Sequence, residues 1–397
     1  HPSIAIWCGN NENDEGWQNW GWQKQFNYSK SDSTQIWNDY KKVFHEVIPQ
    51  TLDSLLPKEK NIYWSSSPSI GWGRKESLLQ GDSHYWGVWW GKEPFEIYEK
   101  KVGRFMSEYG FQGMPNLETL QKVMNKEDLN FISEAFKNHQ KHPTGYETIN
   151  EYMERDFVVP KDFEDYAYVS QLLQARGMKT AIEAHRRAKP YCMGTLYWQF
   201  NDCWPVTSWS SLDYYGNWKA FHYQAKRSFE NLLLSVNEEN EIYKVFLVND
   251  NFESYSVRLE LELLSFDGKS LWENSKEVTV KENTSINVYE IPKDEFEKFD
   301  LKSSVLKVNW EEVKINYFFA KPKDLKLQKP NIEIKIINDF MIEISSDVLA
   351  KDVFLSSENE VFFEDNYFDL LPNDKRIIKL SKAAKEIKVK SLFDTIK

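Results

Sequence analysis

Near residue 235 the hydrophobic pattern changes period, and no other feature of the 397-residue chain restricts its architecture as sharply. Upstream, short apolar runs that close on Gly, Asn or Ser alternate with stretches of helical period, the pattern of βα units around a parallel sheet. Five runs supply the strands: "IAIWCGNN" (4–11), "NIYWSSSP" (61–68), "SHYWGVWWG" (83–91), "GRFMSEYG" (103–110) and "MGTLYWQFND" (193–202). In the first, Ile4 to Cys8 is expected as a buried strand. Between the runs the spacing predicts helices. Ser33 can cap a face made of Ile36, Tyr40, Phe44 and Val47, which Pro49 must kink or restart, and Asn125 with Asp128 precedes Leu129, Ile132 and Phe136. The longest helical stretch runs from Phe163 to Arg187, with Val169, Leu172, Leu173, Ile182 and His185 on its buried side.

Downstream the period shortens to two. "SVRLELELLSFDGKSLWE" sets Val257, Leu259, Leu261 and Leu263 against Arg258, Glu260 and Glu262, with a hairpin turn at Asp267-Gly268. "NIEIKIINDFMIEISSD" repeats the plan with Ile332, Ile334 and Ile336 and a turn at Asn338-Asp339. "AKPKDLKLQKP" (320–330), polar and carrying Pro322 and Pro330, reads as a linker. The expected fold class is therefore α/β plus all-β, with an α/β part over 1–235 and antiparallel β-sandwiches over 236–327 and 328–397.

Composition narrows the function. The net charge is −11 with acids and bases intermixed, which argues against nucleic acid as a partner. No apolar run approaches the ~20 residues of a membrane span. Cys8, Cys192 and Cys203 are too scattered for a disulfide framework or a thiolate metal site. Aromatic residues reach 15%, a surplus that can line a cleft for an amphipathic ligand such as a sugar.

In a parallel barrel the chemistry sits where strands end. Those ends carry Asn11-Glu12, Ser65 to Ser67, His84-Tyr85-Trp86, Glu108-Tyr109 and Trp198 to Asp202. Glu12 and Glu108 stand three βα units apart, nearly across the mouth if the sheet closes at eight strands. Two carboxylates flanking a glycosidic bond can hydrolyse it, one protonating the departing oxygen and the other attacking the anomeric carbon or activating water. Their protonation must differ, so Glu12 beside Asn11 is expected as the proton donor, and Glu108 between Ser107 and Tyr109 as the ionised partner. The competing reading is a glutamate that caps the next helix or pairs with an arginine. Asp14 and Glu15 lie past the strand end and are expected to face solvent, and His139 with His142 has a metal-like spacing without a third ligand, so no metal is expected.

"WCGNNE" (7–12), "SEYGFQ" (107–112), "YWQFNDCWPVTSWSSLDYYGNWKAFHY" (197–223), the helix "FEDYAYVSQLLQARGMKTAIEAHRR" and the tail "EDNYFDLLPND" (364–374) closely resemble β-mannosidases of glycoside hydrolase family 2. The resemblance implies the C-terminal part of a TIM (β/α)8 barrel, strands four to eight, followed by two immunoglobulin-like β-sandwich domains. It further implies Glu12 as general acid/base, Glu108 as nucleophile, retention of configuration and no cofactor. Asn11 would bind the sugar 2-hydroxyl, Tyr85 would hydrogen-bond the nucleophile with His84 and Trp86 beside it, Trp198 would floor the −1 subsite, and Trp20 would be a platform beyond the acid/base. Cys8 stands where relatives often have serine. The implied substrate is a β-mannoside oligosaccharide or glycan, in a periplasmic or extracellular setting if bacterial and lysosomal if animal.

Family members carry further domains and three barrel strands before the acid/base, so the chain is expected to be a piece of something longer. Exposed sheet edges would then favour self-association, and the piece alone would be nearly inactive. Other family 2 specificities (β-glucosaminidase, β-galactosidase, β-glucuronidase) and a non-catalytic carbohydrate-binding relative are the alternatives.

Overall fold

The computed structural model describes residues 3–57, 62–68, 70–311 and 313–396, which fall into two compact units, 1–109 with 191–197 and 110–190 with 198–397. His1 and Asn61, which precede the first run and open the second, lie outside the described residues.

In the first unit, β1 (Trp7–Cys8) pairs in parallel with β2 (Tyr63–Trp64), and β3 (Ser83–His84) with β4 (Met106–Glu108). Parallel bridges Asn11↔Ser67 and Met106↔Thr195 extend these pairs, so the fifth run enters only at Thr195. Among the described residues these strands form two separate two-stranded sheets. The expectation that Ile4 to Cys8 is buried fails. Ile4 and Ile6 are 46% and 49% exposed, because β1 has a partner on one edge only among the described residues.

The first long helix starts one turn earlier than expected. Ser29, not Ser33, is its cap: the Ser29 hydroxyl accepts from Asp32 N at 3.1 Å and Asp32 Oδ2 accepts from Ser29 N at 3.3 Å, a reciprocal box that Ser33 has no acid to complete. Helix Lys30–Lys41 then widens through a π-helical stretch, Lys42–Val47, before Ile48–Leu55. Pro49 falls in the first turn of that last helix, where the hydrogen-bond pattern changes from the π-helical stretch.

In the second unit the helix Phe163–Arg187 occupies the predicted span, capped by Asp162, whose Oδ1 accepts from Glu164 N and Asp165 N. Its five predicted core residues are all buried. Asn125 begins only a 3-10 turn, Lys126–Asp128; Ser133 caps the helix Glu134–Asn138 that carries Phe136, and Ile132, one position before that cap, is 82% exposed.

Beyond this helical part, β5 (Leu232–Glu239), β6 (Ile242–Asn249) and β9 (Thr284–Pro292) form one antiparallel sheet. It faces a second made of β7 (Tyr255–Ser265), β8 (Ser270–Val280), β10 (Ser304–Trp310) and β11 (Val313–Phe318). The alternating leucines of β7 enter the core between them. Gly268, at φ +87°, turns β7 into β8 as its sequence requires. A smaller sandwich follows from sheets β12 (Ile332–Asn338), β13 (Met341–Ser346), β16 (Lys375–Lys379) and β14 (Ala350–Ser357), β15 (Phe368–Leu370), β17 (Ile387–Lys390). Ile332 and Ile334 pack against its core, whereas Ile336 is 67% exposed at a register shift before the hairpin turn.

The segment expected to be a mere linker is partly core. Leu325 is buried with Leu264, Phe266 and Val305 of the first sandwich and with Leu349 and Leu371 of the second. The two sandwiches are thereby joined through a shared apolar cluster. Among the described residues no helix is long and apolar enough to cross a membrane.

His185 ties this unit's stability to pH. Burial, with Arg187 adding to it, lowers its pKa from 6.5 to about 3. Between those values the unfolded chain binds a proton that the folded chain refuses, so stability is expected to fall as pH drops through 6.5 toward 3. Urea unfolding of His185→Gln should show a shallower fall over that window than the parent chain.

Candidate active site

Three short segments of the first unit bring two glutamates and a histidine together. Glu12 follows β1 in a left-handed conformation, φ 59° and ψ 5°, its N–H donating to Ser67 O at 2.7 Å and its carbonyl accepting from Gly16 N at 2.8 Å. Such a backbone costs a residue bearing a Cβ about 1–2 kcal/mol, and here it turns the chain from strand into helix Asn13–Gln18. His84 ends β3 and Glu108 ends β4, aligned opposite each other in the parallel register and locked by Tyr85 N donating to Glu108 O at 2.8 Å.

His84 stands between the acids. Its Nδ1 lies 2.7 Å from Glu12 Oε1 and 3.8 Å from Glu108 Oε1, and one carboxylate oxygen of each glutamate lies with a ring nitrogen of His84 within a 4.8 Å group. Among the described residues this is the one grouping compact enough to be compared with a metal site. The direct 2.7 Å contact, however, already engages Nδ1 and Glu12 Oε1 with each other.

The side chains of His84, Glu108 and Glu12 are 3%, 13% and 20% exposed, so the acids differ in desolvation. Burial raises the Glu108 pKa and the charge of Glu12 adds to the rise, while His84 and the Trp86 indole, donating to Oε1 at 3.1 Å, oppose it. The expectation that Ser107 and Tyr109 hold Glu108 ionised is corrected. Their hydroxyls are engaged elsewhere, Ser107 Oγ donating to Asp82 at 2.6 Å and Tyr109 sharing a hydrogen bond with Thr195 at 2.7 Å.

The remaining sequence candidates are placed as follows. Buried Tyr85 donates its hydroxyl to Glu93, and the indole found on Glu108 belongs to Trp86. Asn11 is exposed, and its neighbour Asn10 anchors the turn instead, donating to Ser65 O at 2.8 Å and accepting from Ser66 Oγ at 2.9 Å. Trp20 is 49% exposed and meets Trp22 edge-on; Trp198, in the second unit, is 42% exposed. Glu15 does not face solvent. It is buried and ion-paired with Arg74, and Gly71 leaves room for it, since a Cβ there would fall 2.5 Å from Glu15 Oε2. His139 Nδ1 meets Pro205 O at 2.5 Å and His142 Nδ1 accepts from Thr144 N at 3.3 Å.

Asp82 escaped sequence reading, and Ser67 was noted only among the serines that close its strand. Ser67 Oγ contacts His84 Nε2 at 2.9 Å, and Asp82 Oδ2 accepts from Ser67 Oγ at 2.5 Å. Asp82 precedes His84 by two positions and so shares its side of an extended strand, the one signal that could have linked them.

Residues 241–324 match the "Mannosidase Ig/CBM-like domain" family and 327–395 an "Ig-fold domain" family of mannosidases. β-Mannosidase B of Thermothelomyces thermophilus is 28% identical over 99% of this chain and 51% of its own length. The β-mannosidase of Rattus norvegicus is 32% identical over 66% of this chain and 31% of its own. The crystal structure of the β-D-mannosidase from Dictyoglomus thermophilum superposes with a TM-score of 0.85 at 32% identity, over 98% of this chain and 48% of that one. The chain is a homologue of the β-mannosidases of glycoside hydrolase family 2. It spans from about a third to about half the length of these relatives. An exo-chitosanase from Amycolatopsis orientalis, at 14% identity and a TM-score of 0.63, shares the fold.

The opposing influences on Glu108 give a signed test in this homologue. Trp86→Phe should move the Glu108 titration to higher pH, and Glu12→Gln should move it to lower pH, both followed by carboxyl 13C NMR.

Proposed function

We propose that this chain carries the catalytic carboxylates of a retaining, exo-acting β-mannosidase that releases terminal β-linked mannose without a cofactor. One observation carries the reading: Glu12, His84 and Glu108 converge within 4.8 Å. One oxygen of each glutamate lying within 4.8 Å of the other supports double displacement, with its carboxyl groups ~5–5.5 Å apart, over inversion at ~6.5–9.5 Å. The fold around the site belongs to the same reading, with β1 to β4 and the Thr195 segment as successive strands of a (β/α)8 barrel.

Glu12 protonates the glycosidic oxygen while the C1–O bond breaks, its electron pair leaving with that oxygen. Glu108 attacks C1 from the opposite face and forms a glycosyl ester. Water then gives a proton to Glu12, attacks C1 and expels Glu108 as a carboxylate, so the sugar leaves with its original configuration. Glu108 must be ionised to attack, and His84 and Trp86 are the groups that favour that form. Asn11, Tyr85 and Trp20 are proposed to shape the sugar subsites.

The test is hydrolysis of p-nitrophenyl β-mannoside, with the first-formed mannose anomer followed by NMR. Because the chain spans only part of its relatives, we expect low turnover from it alone, β-mannose as first product, and a further loss of about 10²–10⁴-fold in Glu12→Gln and Glu108→Gln. Turnover that survives both substitutions would remove the two-glutamate assignment, and preference for a glucosaminide, galactoside or glucuronide would move the specificity. Light scattering on the same sample should show self-association through the β1 edge, where Ile4 and Ile6 are exposed.

A further inference from the structure

We infer that Glu12 and His84 share a single proton and that Asp82, acting through Ser67 on the far side of the imidazole, fixes this arrangement, so that Asp82, Ser67 and His84 are positioning residues for the acid/base. Donors and acceptors along one chain of contacts determine where the proton sits, and only the kinetic consequence rests on the glycosidase reading.

Three donors converge on the Asp82 carboxylate: Ser67 Oγ at 2.5 Å, Ser107 Oγ at 2.6 Å and Trp64 Nε1 at 3.0 Å. Asp82 is thus an acceptor, and the one hydroxyl proton of Ser67 is directed to it. The Ser67 oxygen then faces His84 Nε2 at 2.9 Å with only lone pairs, which requires a hydrogen on Nε2.

With Nε2 protonated, a neutral imidazole presents a bare lone pair at Nδ1. Glu12 Oε1 stands 2.7 Å from that atom, a hydrogen-bond distance that two acceptors cannot share without a proton between them. Either Glu12 is the acid donating to Nδ1, or Nδ1 donates to a Glu12 carboxylate. Both forms hold the same number of protons, and in both the pair is loaded for donation. When Glu12 protonates the departing oxygen, this shared proton leaves, and the water of the second step returns it.

The charged and titratable groups facing His84 are Glu12 from the turn after β1, Glu108 at the end of β4, 3.8 Å from Nδ1, and Asp82 through Ser67. The Ser67 contact dictates which nitrogen of this nearly buried ring is never the one to give up the shared proton.

Nitrogen-15 NMR of the full chain, with the His84 signals assigned by loss in His84→Gln, decides the proton arrangement without any catalytic assay. A protonated Nε2 with Nδ1 in a strong hydrogen bond is expected. Ser67→Ala should release the tautomer preference, Ser67→Thr should restore it, and Asp82→Asn should weaken it. A bare Nε2 in the parent chain, or a tautomer unmoved by Ser67→Ala in a folded protein, would overturn the inference. The kinetic arm compares a dinitrophenyl β-mannoside, which leaves without protonation, with a phenyl β-mannoside, which needs it. Ser67→Ala should slow the phenyl substrate at least about 10-fold more than the dinitrophenyl one. Equal slowing of both would reduce Ser67 to a structural role. Absence of any β-mannoside turnover would instead count against the glycosidase reading, while the proton arrangement would still stand or fall on the NMR spectra.

Discussion

The contact between His84 and Glu12 at 2.7 Å, with Glu108 a further step away at 3.8 Å, is the constraint around which the first unit is arranged. Two acids brought this close repel each other when both are ionised, and a nearly buried imidazole is what allows them to coexist. The surrounding structure serves that triplet. Parallel registry of β3 with β4 aligns His84 with Glu108, the backbone bond from Glu12 to Ser67 O brings in the third member, and Asp82 gathers hydroxyls and an indole behind the histidine.

Much of this was legible in the sequence, and the failures have identifiable causes. The two glutamates, the histidine beside them and the long helix Phe163–Arg187 announced themselves through strand-end position and a period of 3.6. Strong alternation likewise exposed the β7 to β8 hairpin. What failed were inferences that needed a third dimension. Ser107 and Tyr109 adjoin Glu108 in sequence, but their hydroxyls are engaged by Asp82 and Thr195. Glu15 has the look of a solvent-facing acid until Arg74, far along the chain, closes on it.

The pairing of Ser67 with Asp82 was invisible for a related reason. Serine and aspartate are common in turns, and nothing local distinguishes a pair that orders an imidazole from a pair that merely ends a strand. The polar segment 320–330 misled in the opposite direction, because one leucine was enough to make a connector part of a core. Two sandwiches that share Leu325 resist independent motion, which suits a scaffold more than a pair of tethered modules.

Glu12 sits under two opposed demands. Its left-handed backbone favours glycine, while its carboxyl needs a side chain at that point and no other. Random substitution followed by selection for folding alone would favour glycine at this position, whereas selection for the proposed turnover would hold the glutamate against that drift. The position can therefore serve as a marker: in any collection of variants of this chain, the residue found at 12 reports which of the two pressures its history obeyed.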